Sequence, residues 1–253
     1  MQARPASAWK DVREHSPAIE APGRPCPRVW LGSAALCLGL LLGAAPGRGA
    51  EDPAQESAIH IGRLHYDGGG DWYSNPSSNP NWMRAFEQRT GIVTYHDEIE
   101  VRPGDNALYH YPLVYMNGHG NVSFTPEQAQ YLRQWMQAGG FLWADDNYGM
   151  DKSFRREVKK IFPDRELVDL PNGHPIFRCF YRLPGLPKVH QHDGKPPECL
   201  AILGDGGRVQ LLYTYESDIG DGIEDPGVHN DPPEKREQAM RMAVNIMIYA
   251  LTH

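Results

Sequence analysis

From residue 58 onward the apolar positions switch back and forth between a strand-like period of two and a helix-like period near 3.6. The pattern predicts a strand over 59–66, broken by the run DGGGD at 67–71, then a helix over 81–89 that stops at Gly91. A second strand is predicted over 92–101 and a third over 113–116, the latter ending in Asn117, Gly118, His119 and Gly120. Thr125, Pro126 and Glu127 combine a capping residue, a first-turn proline and a first-turn acid, and open a helix predicted to reach Ala138 and stop at Gly139 and Gly140. A strand over 141–144 is expected to end at Asp145, Asp146 and Asn147. A helix over 153–161, an unassigned segment over 174–181, a strand over 209–215 and a long amphipathic helix over 233–251 complete the chain. Strands and helices in alternation predict an α/β domain with a mostly parallel sheet covered by helices.

The N-terminal 50 residues follow a different rule. Residues 29–45 (VWLGSAALCLGLLLGAA) are apolar, small and uncharged, and Arg24 and Arg28 precede them. The run is shorter than the roughly 20 residues of a spanning helix, so it reads as the core of a signal peptide on a long N-terminal extension, with processing near Gly49 or Ala50. The expectation is an exported chain, periplasmic or secreted, whose residues 51–253 form a single domain with no integral span after cleavage. An uncleaved anchor is the alternative.

Removing residues 1–50 leaves 19 basic against 29 acidic side chains. An acidic domain without clustered cations does not track phosphates, which argues against nucleic acid as a partner. The one dense basic stretch, KSFRREVKK at 152–160, has helical spacing and reads as a solvated face. Cys26 and Cys37 fall in the leader, leaving Cys179 and Cys199, for which a disulfide is permitted and two separate thiols are the alternative.

In parallel sheets ligands gather at the carboxyl ends of strands. The polar residues predicted there are Asp71 with Trp72 and Tyr73, then His119, Asp145 and Asp146, and Asp218, with His174 joining from a loop. Arg63 falls inside the first strand and needs a carboxylate partner if buried, as a structural ion pair or a substrate clamp. Adjacent residues of a strand point to opposite faces, so one of Asp145 and Asp146 faces the cleft while the other caps the following turn or helix. His119, Asp146 and Asp71 are the candidate divalent-metal ligands, with Asp146 and His119 in the catalytic role. They share no local signature and would have to converge from separate loops. His190 and His192, beside Asp193 in KVHQHDGKPPE, read as part of a solvated loop. The acidic run over 218–225 only loosely follows a calcium loop.

The stretches GRLHYDGGGDWYSNPSSNPN, YPLVYMNGHG, LRQWMQAGGFLWADD, FPDRELVDLPNGHPIF and AVNIMIYAL resemble the bacterial family called domain of unknown function 4159, over nearly all of residues 58–253. The resemblance implies a Rossmann-like three-layer sandwich similar to class I glutamine amidotransferases and ThuA-like proteins, and a place in envelope or assembly work. In that fold the nucleophilic cysteine follows the strand after the glycine-terminated helix. Here the position reads Ala144, Asp145, Asp146 and Asn147, so a thioester route has no nucleophile. The reading is a binding or assembly module of the cell envelope, with Trp72, Tyr73, Trp82 and Tyr148 as anchors for a partner protein or a carbohydrate; the alternative is a metal-assisted hydrolase built on the strand-end Asp and His residues. Trp82 and Trp135 read as core residues on helix faces.

Overall fold

A computed structural model describes residues 58–253. The signal-peptide reading of residues 1–50 lies outside the described residues. β1 (Ile61–Leu64), β2 (Ile99–Val101), β3 (Leu113–His119), β4 (Phe141–Tyr148), β5 (Val168–Asp169), β6 (Glu198–Leu203) and β7 (Val209–Tyr215) form one sheet in the order β2-β1-β3-β4-β7-β6-β5. The pairs from β2 across to β7 are parallel, while β6 and β5 close the edge antiparallel. This mixed α/β sheet, mostly parallel, is the predicted class.

The helices are α1 (Ser78–Thr90), α2 (Pro126–Gln137), α3 (Asp151–Ile161), α4 (Ile219–Ile223), α5 (Pro226–His229) and α6 (Pro233–Thr252). Two apolar clusters divide the sheet by its pleat. On one face Tyr115 and Trp143 pack with Trp82, Met83 and Phe86 of α1 and the buried side of α6; on the other Met116, Leu142 and Ala144 pack with Leu132 and Trp135 of α2 and Phe154 of α3. Covering both faces explains why β3 and β4 are buried along almost their whole length. Among the described residues no helix is long and apolar enough to cross a membrane.

Local signals behave as read at α2, where Thr125 and Gln128 form a reciprocal capping box, and at α1, which ends on a left-handed Gly91. Thr125→Ala is expected to cost about 1 kcal/mol of stability, read as a lower urea midpoint. Elsewhere the boundaries move. β4 does not stop at Ala144 but continues through Asp145, Asp146 and Asn147, because β3 and β7 supply ladder partners on both sides and the polar side chains find buried partners. Most of 92–98 is irregular, touching Ile59 through a single bridge at Thr94, and β2 is only three residues. β6 was not predicted. The 174–181 segment holds a short 3-10 turn, Pro175–Phe177. Cys179 and Cys199 are both free thiols.

Candidate metal centre

The end of β7 is built to turn back on itself. Glu216 and Asp218 both adopt left-handed backbone, at φ 55° and 56°, a conformation that costs a non-glycine residue of order 1 kcal/mol. The turn leads straight into α4, so Asp218 and Asp221 both face the carboxyl edge of the sheet. The loop before β6 runs over this turn, tied to it by Val189 N–H donating to Ser217 O at 2.8 Å and by Lys188 Nζ on Glu216 at 3.0 Å. It delivers His190 and His192. His229 comes from α5, and Asp231 follows it.

His190 Nδ1 lies 2.9 Å from Asp221 Oδ2 and 3.3 Å from Asp218 Oδ2, while its Nε2 is 3.0 Å from Asp231 Oδ1. His229 repeats the arrangement: Nδ1 faces Asp221 Oδ2 at 3.7 Å and Nε2 is 2.8 Å from Glu224 Oε2. His192 Nε2 meets Asp218 Oδ2. The ligand atoms of His190, Asp221 and His229 all lie within 4.8 Å of one another, as do those of His190, His192 and Asp218. An outer carboxylate on the Nε2–H of a histidine directs Nδ1 to an ion that displaces its proton, and two of the three imidazoles here are held that way.

Two oxygens in this cluster have no partner. Asp218 Oδ1 and Asp231 Oδ2 are buried and hydrogen-bond to nothing among the described residues. Beneath them, Asp221 Oδ1 accepts from Asn75 Nδ2 and from Asn147 Nδ2. Asp145, fully buried, accepts from Thr214 Oγ1 and from the Gly220 amide at 2.6 Å. Gly220 is required there: a Cβ would come within 2.5 Å of the Tyr115 hydroxyl, itself buried and unpartnered, and 3.3 Å of Asp145 Oδ2.

The electrostatics follow from crowding anions. Burial pushes Asp145 up to about 8, against the pull of its Thr214 and Gly220 hydrogen bonds and with Asp218 and Asp221 close by. Burial also raises Asp218. Desolvation acts on Asp221 in the same sense, but hydrogen bonds from His190 and Asn75 carry it below the ordinary carboxylate value. His190 is raised to about 10 by its hydrogen bonds to Asp218 and Asp221. The field that holds a proton on His190 is the field a cation would meet at the same place.

The residues singled out from sequence are dispersed by this geometry. Asp218 is in the cluster and Asp145 directly beneath it. Asp146, expected to face the cleft, lies on the opposite face of β4, where Oδ1 accepts the Tyr148 and Met150 amides, each at 3.0 Å, and Oδ2 takes the Tyr213 hydroxyl. Asp71 and His119 pair with each other, Nδ1 to Oδ2 at 3.0 Å, and belong to neither ligand group. Arg63 is 0% exposed and its guanidinium is spent on Glu98, Asn117, Ser78 and the carbonyls of Ser74 and Asn75, the structural alternative rather than a clamp. His174 accepts the Ile176 amide as the cap of a 3-10 turn. Trp72 stacks on His65 at 3.9 Å with Tyr73 edge-on to it, and Tyr73 is well exposed.

A family model described as Domain of unknown function (DUF4159) matches residues 60–251. The chain belongs to that family. No curated protein matches it. The DUF4159 match takes in all seven strands and every loop that carries the His/Asp cluster. In this DUF4159 member the sequence reading misses two cluster residues, His229 and Asp231, and meets Asp221 and Glu224 only as part of the acidic run over 218–225. His190 and His192 had been read as solvated. One local signal was available, since His190 and His192 stand in the H-x-H spacing that puts two imidazoles on one side of an extended segment.

Proposed function

We propose that this chain is a divalent-metal-dependent hydrolase whose ion is held by His190, His229 and Asp221, with His192 and Asp218 completing the shell. The observation that carries the reading is the pair of imidazoles presented Nδ1-first to one carboxylate oxygen, each locked from behind by its own acid, beside a buried Asp218 oxygen with no partner. Three imidazoles with two carboxylates suit zinc or another transition metal, whereas calcium and magnesium take oxygen ligands. His190, His192 and His229 are each about a quarter exposed, so water would reach an ion held by them, and such an ion would supply a bound water of lowered pKa as nucleophile. The ligands stand at the carboxyl edge of the parallel strands, the edge at which open α/β sheets bind ligands.

We further read the fold as class I glutamine amidotransferase-like and the chain as exported to the periplasm or beyond. The parallel strand order and the apolar segment over 29–45 support these readings. The absent thiol at the end of β4 keeps the chemistry away from glutamine. Within an envelope setting, exposed Tyr73 and Tyr148 near the edge suit a carbohydrate or a partner protein.

The test is elemental analysis of the purified chain after exhaustive dialysis, with and without zinc, iron(II) or manganese(II) supplementation, beside Asp221→Asn and His190→Ala. About one ion per chain is expected in the wild type, with affinity reduced about 100-fold or more in both variants. A wild-type chain that retains no metal from any of the three makes the cluster an imidazolium–carboxylate knot and removes the hydrolase reading.

A further inference from the structure

We infer that Asp71 and His119 form a second, metal-independent functional unit: a general-base dyad at the end of β3 that delivers water to acyl compounds. Asp71 takes the His119 backbone N–H on Oδ1 and its imidazole Nδ1–H on Oδ2, the latter at 3.0 Å. One carboxylate thereby fixes both the backbone and the ring, setting the tautomer and leaving Nε2 with a free lone pair. The His119 side chain is 51% exposed, so that lone pair is available to solvent.

The fold goes to unusual lengths to hold this pair. His119 lies between Gly118 and Gly120, both with positive φ, and a Cβ on Gly118 would strike the Tyr66 hydroxyl and Asp71. Gly70 packs so closely that a Cβ would lie 2.7 Å from His119 O and 2.9 Å from Asn121 O. The two glycine-rich turns are joined by Gly70 N–H to Asn121 O at 3.0 Å and Asp71 N–H to His119 O at 3.3 Å. An exposed ion pair contributes about 0–1 kcal/mol, which is small beside the conformational restriction these glycines accept. His119 fills no core position, so packing does not account for it.

Its neighbour in register on β4 is Tyr148, which is 48% exposed, carries φ 140°, and lays its ring on His192 at 4.6 Å. A positive φ on a bulky residue is a strain the surrounding structure has to hold. The Tyr148 hydroxyl donates to Asp193 at 2.9 Å, so its ring is held against the loop that carries His192.

The chemistry needs no other reagent. Nε2 accepts a proton from water as the water oxygen bonds to the acyl carbon, and Asp71 stabilises the imidazolium that forms. Collapse of the tetrahedral adduct breaks the bond from carbon to the leaving oxygen, and the proton passes to that group or to solvent, giving acid and alcohol with no change of oxidation state. His119 is the catalytic residue and Asp71 a positioning residue acting through it.

The experiment uses p-nitrophenyl acetate with the mature chain in chelator, so the metal reading does not enter. His119→Gln is expected to lower the second-order rate about tenfold or more, while His96→Gln, which removes another histidine paired with a carboxylate (Glu87), leaves it unchanged. Asp71→Asn is expected to lose rate similarly and to abolish the imidazole 15N signature of a protonated Nδ1 with a bare Nε2. Should His119→Gln not fold, His119→Asn serves instead, read against the same wild-type rate. A rate that persists with His119 replaced, or an unchanged 15N signature in Asp71→Asn, overturns the dyad.

Discussion

Replacing Arg63 by leucine is expected to remove about 3–5 kcal/mol of stability, read as a large fall in the urea midpoint. Arg63 sits in a strand buried at every position, 0% exposed, with its guanidinium over the Tyr115 ring at 5.3 Å from the centroid. Its Nε holds Glu98 Oε2 at 2.6 Å, and its two terminal nitrogens hold the carbonyls of Ser74 and Asn75 at 3.0 and 3.1 Å together with Asn117 and Ser78. Leucine would fill part of the volume but strip Asn117 Oδ1 of its Arg63 donor and Glu98 of its cation, while Ser74 O, Asn75 O and Glu98 Oε2 keep single donors in Asn117 Nδ2, the Ser78 amide and Asn79 Nδ2; a buried acceptor left bare costs about 1–3 kcal/mol. Glu98 is 29% exposed and can recover some hydration, which sets the upper bound. Arg63→Lys keeps the charge but cannot spread five donors over this fan, so it is expected to fall between the two. The effect reaches the proposed metal centre, because Asn75, whose carbonyl Arg63 holds, donates its side-chain amide to Asp221. Weaker metal retention in Arg63→Leu at temperatures where the variant is folded is the sign of that connection.

The parts of the fold legible in sequence are those with local causes. The Thr125 and Gln128 capping box, the Gly91 stop and the apolar runs of β3 and β4 all belong to continuous stretches. β6 was missed because ECLAIL follows a proline-rich loop and its strand character comes from an antiparallel partner, β7. β4 outran its predicted end for the same reason, since Asn117 and Thr214 on the neighbouring strands, not the residues of β4 itself, make room for Asp145. That polar residues would collect at strand ends was readable. Which of two adjacent aspartates turns toward α4 was not, because it depends on where the pleat stands at the end of the ladder. His190 and His192 were hidden by a loop rich in lysine, glycine and proline, and their acids arrive 26 and 31 residues later in the chain, at Asp218 and Asp221. No short window contains both halves of the site.

Adding zinc at about 100 times its dissociation constant is expected to stabilise the wild-type chain by about 2.7 kcal/mol, or about 5–11 °C in thermal midpoint for a domain of this size. The size of the response follows from what the ion would neutralise. Asp145, Asp218, Asp221, Glu224 and Asp231 are gathered against three imidazoles, and Asp218 and Asp231 each keep a buried oxygen that hydrogen-bonds to nothing among the described residues. A cation among them offsets mutual repulsion and desolvation together. It would also cross-link three segments: the His190 loop, the turn after β7, to which that loop is already tied by the Val189–Ser217 backbone hydrogen bond, and α5. Asp221→Asn is the variant that isolates this effect. An asparagine can still accept from Asn75 and Asn147 through its amide oxygen while presenting an NH2 group where Oδ2 faced His190 and His229. The metal-free variant, which loses the His190–Asp221 ion pair, is therefore expected to unfold below the wild-type midpoint and to gain little from zinc. A shift of equal size in both proteins would mean that the ion stabilises the chain from somewhere else, and the ligand set drawn around Asp221 would be wrong.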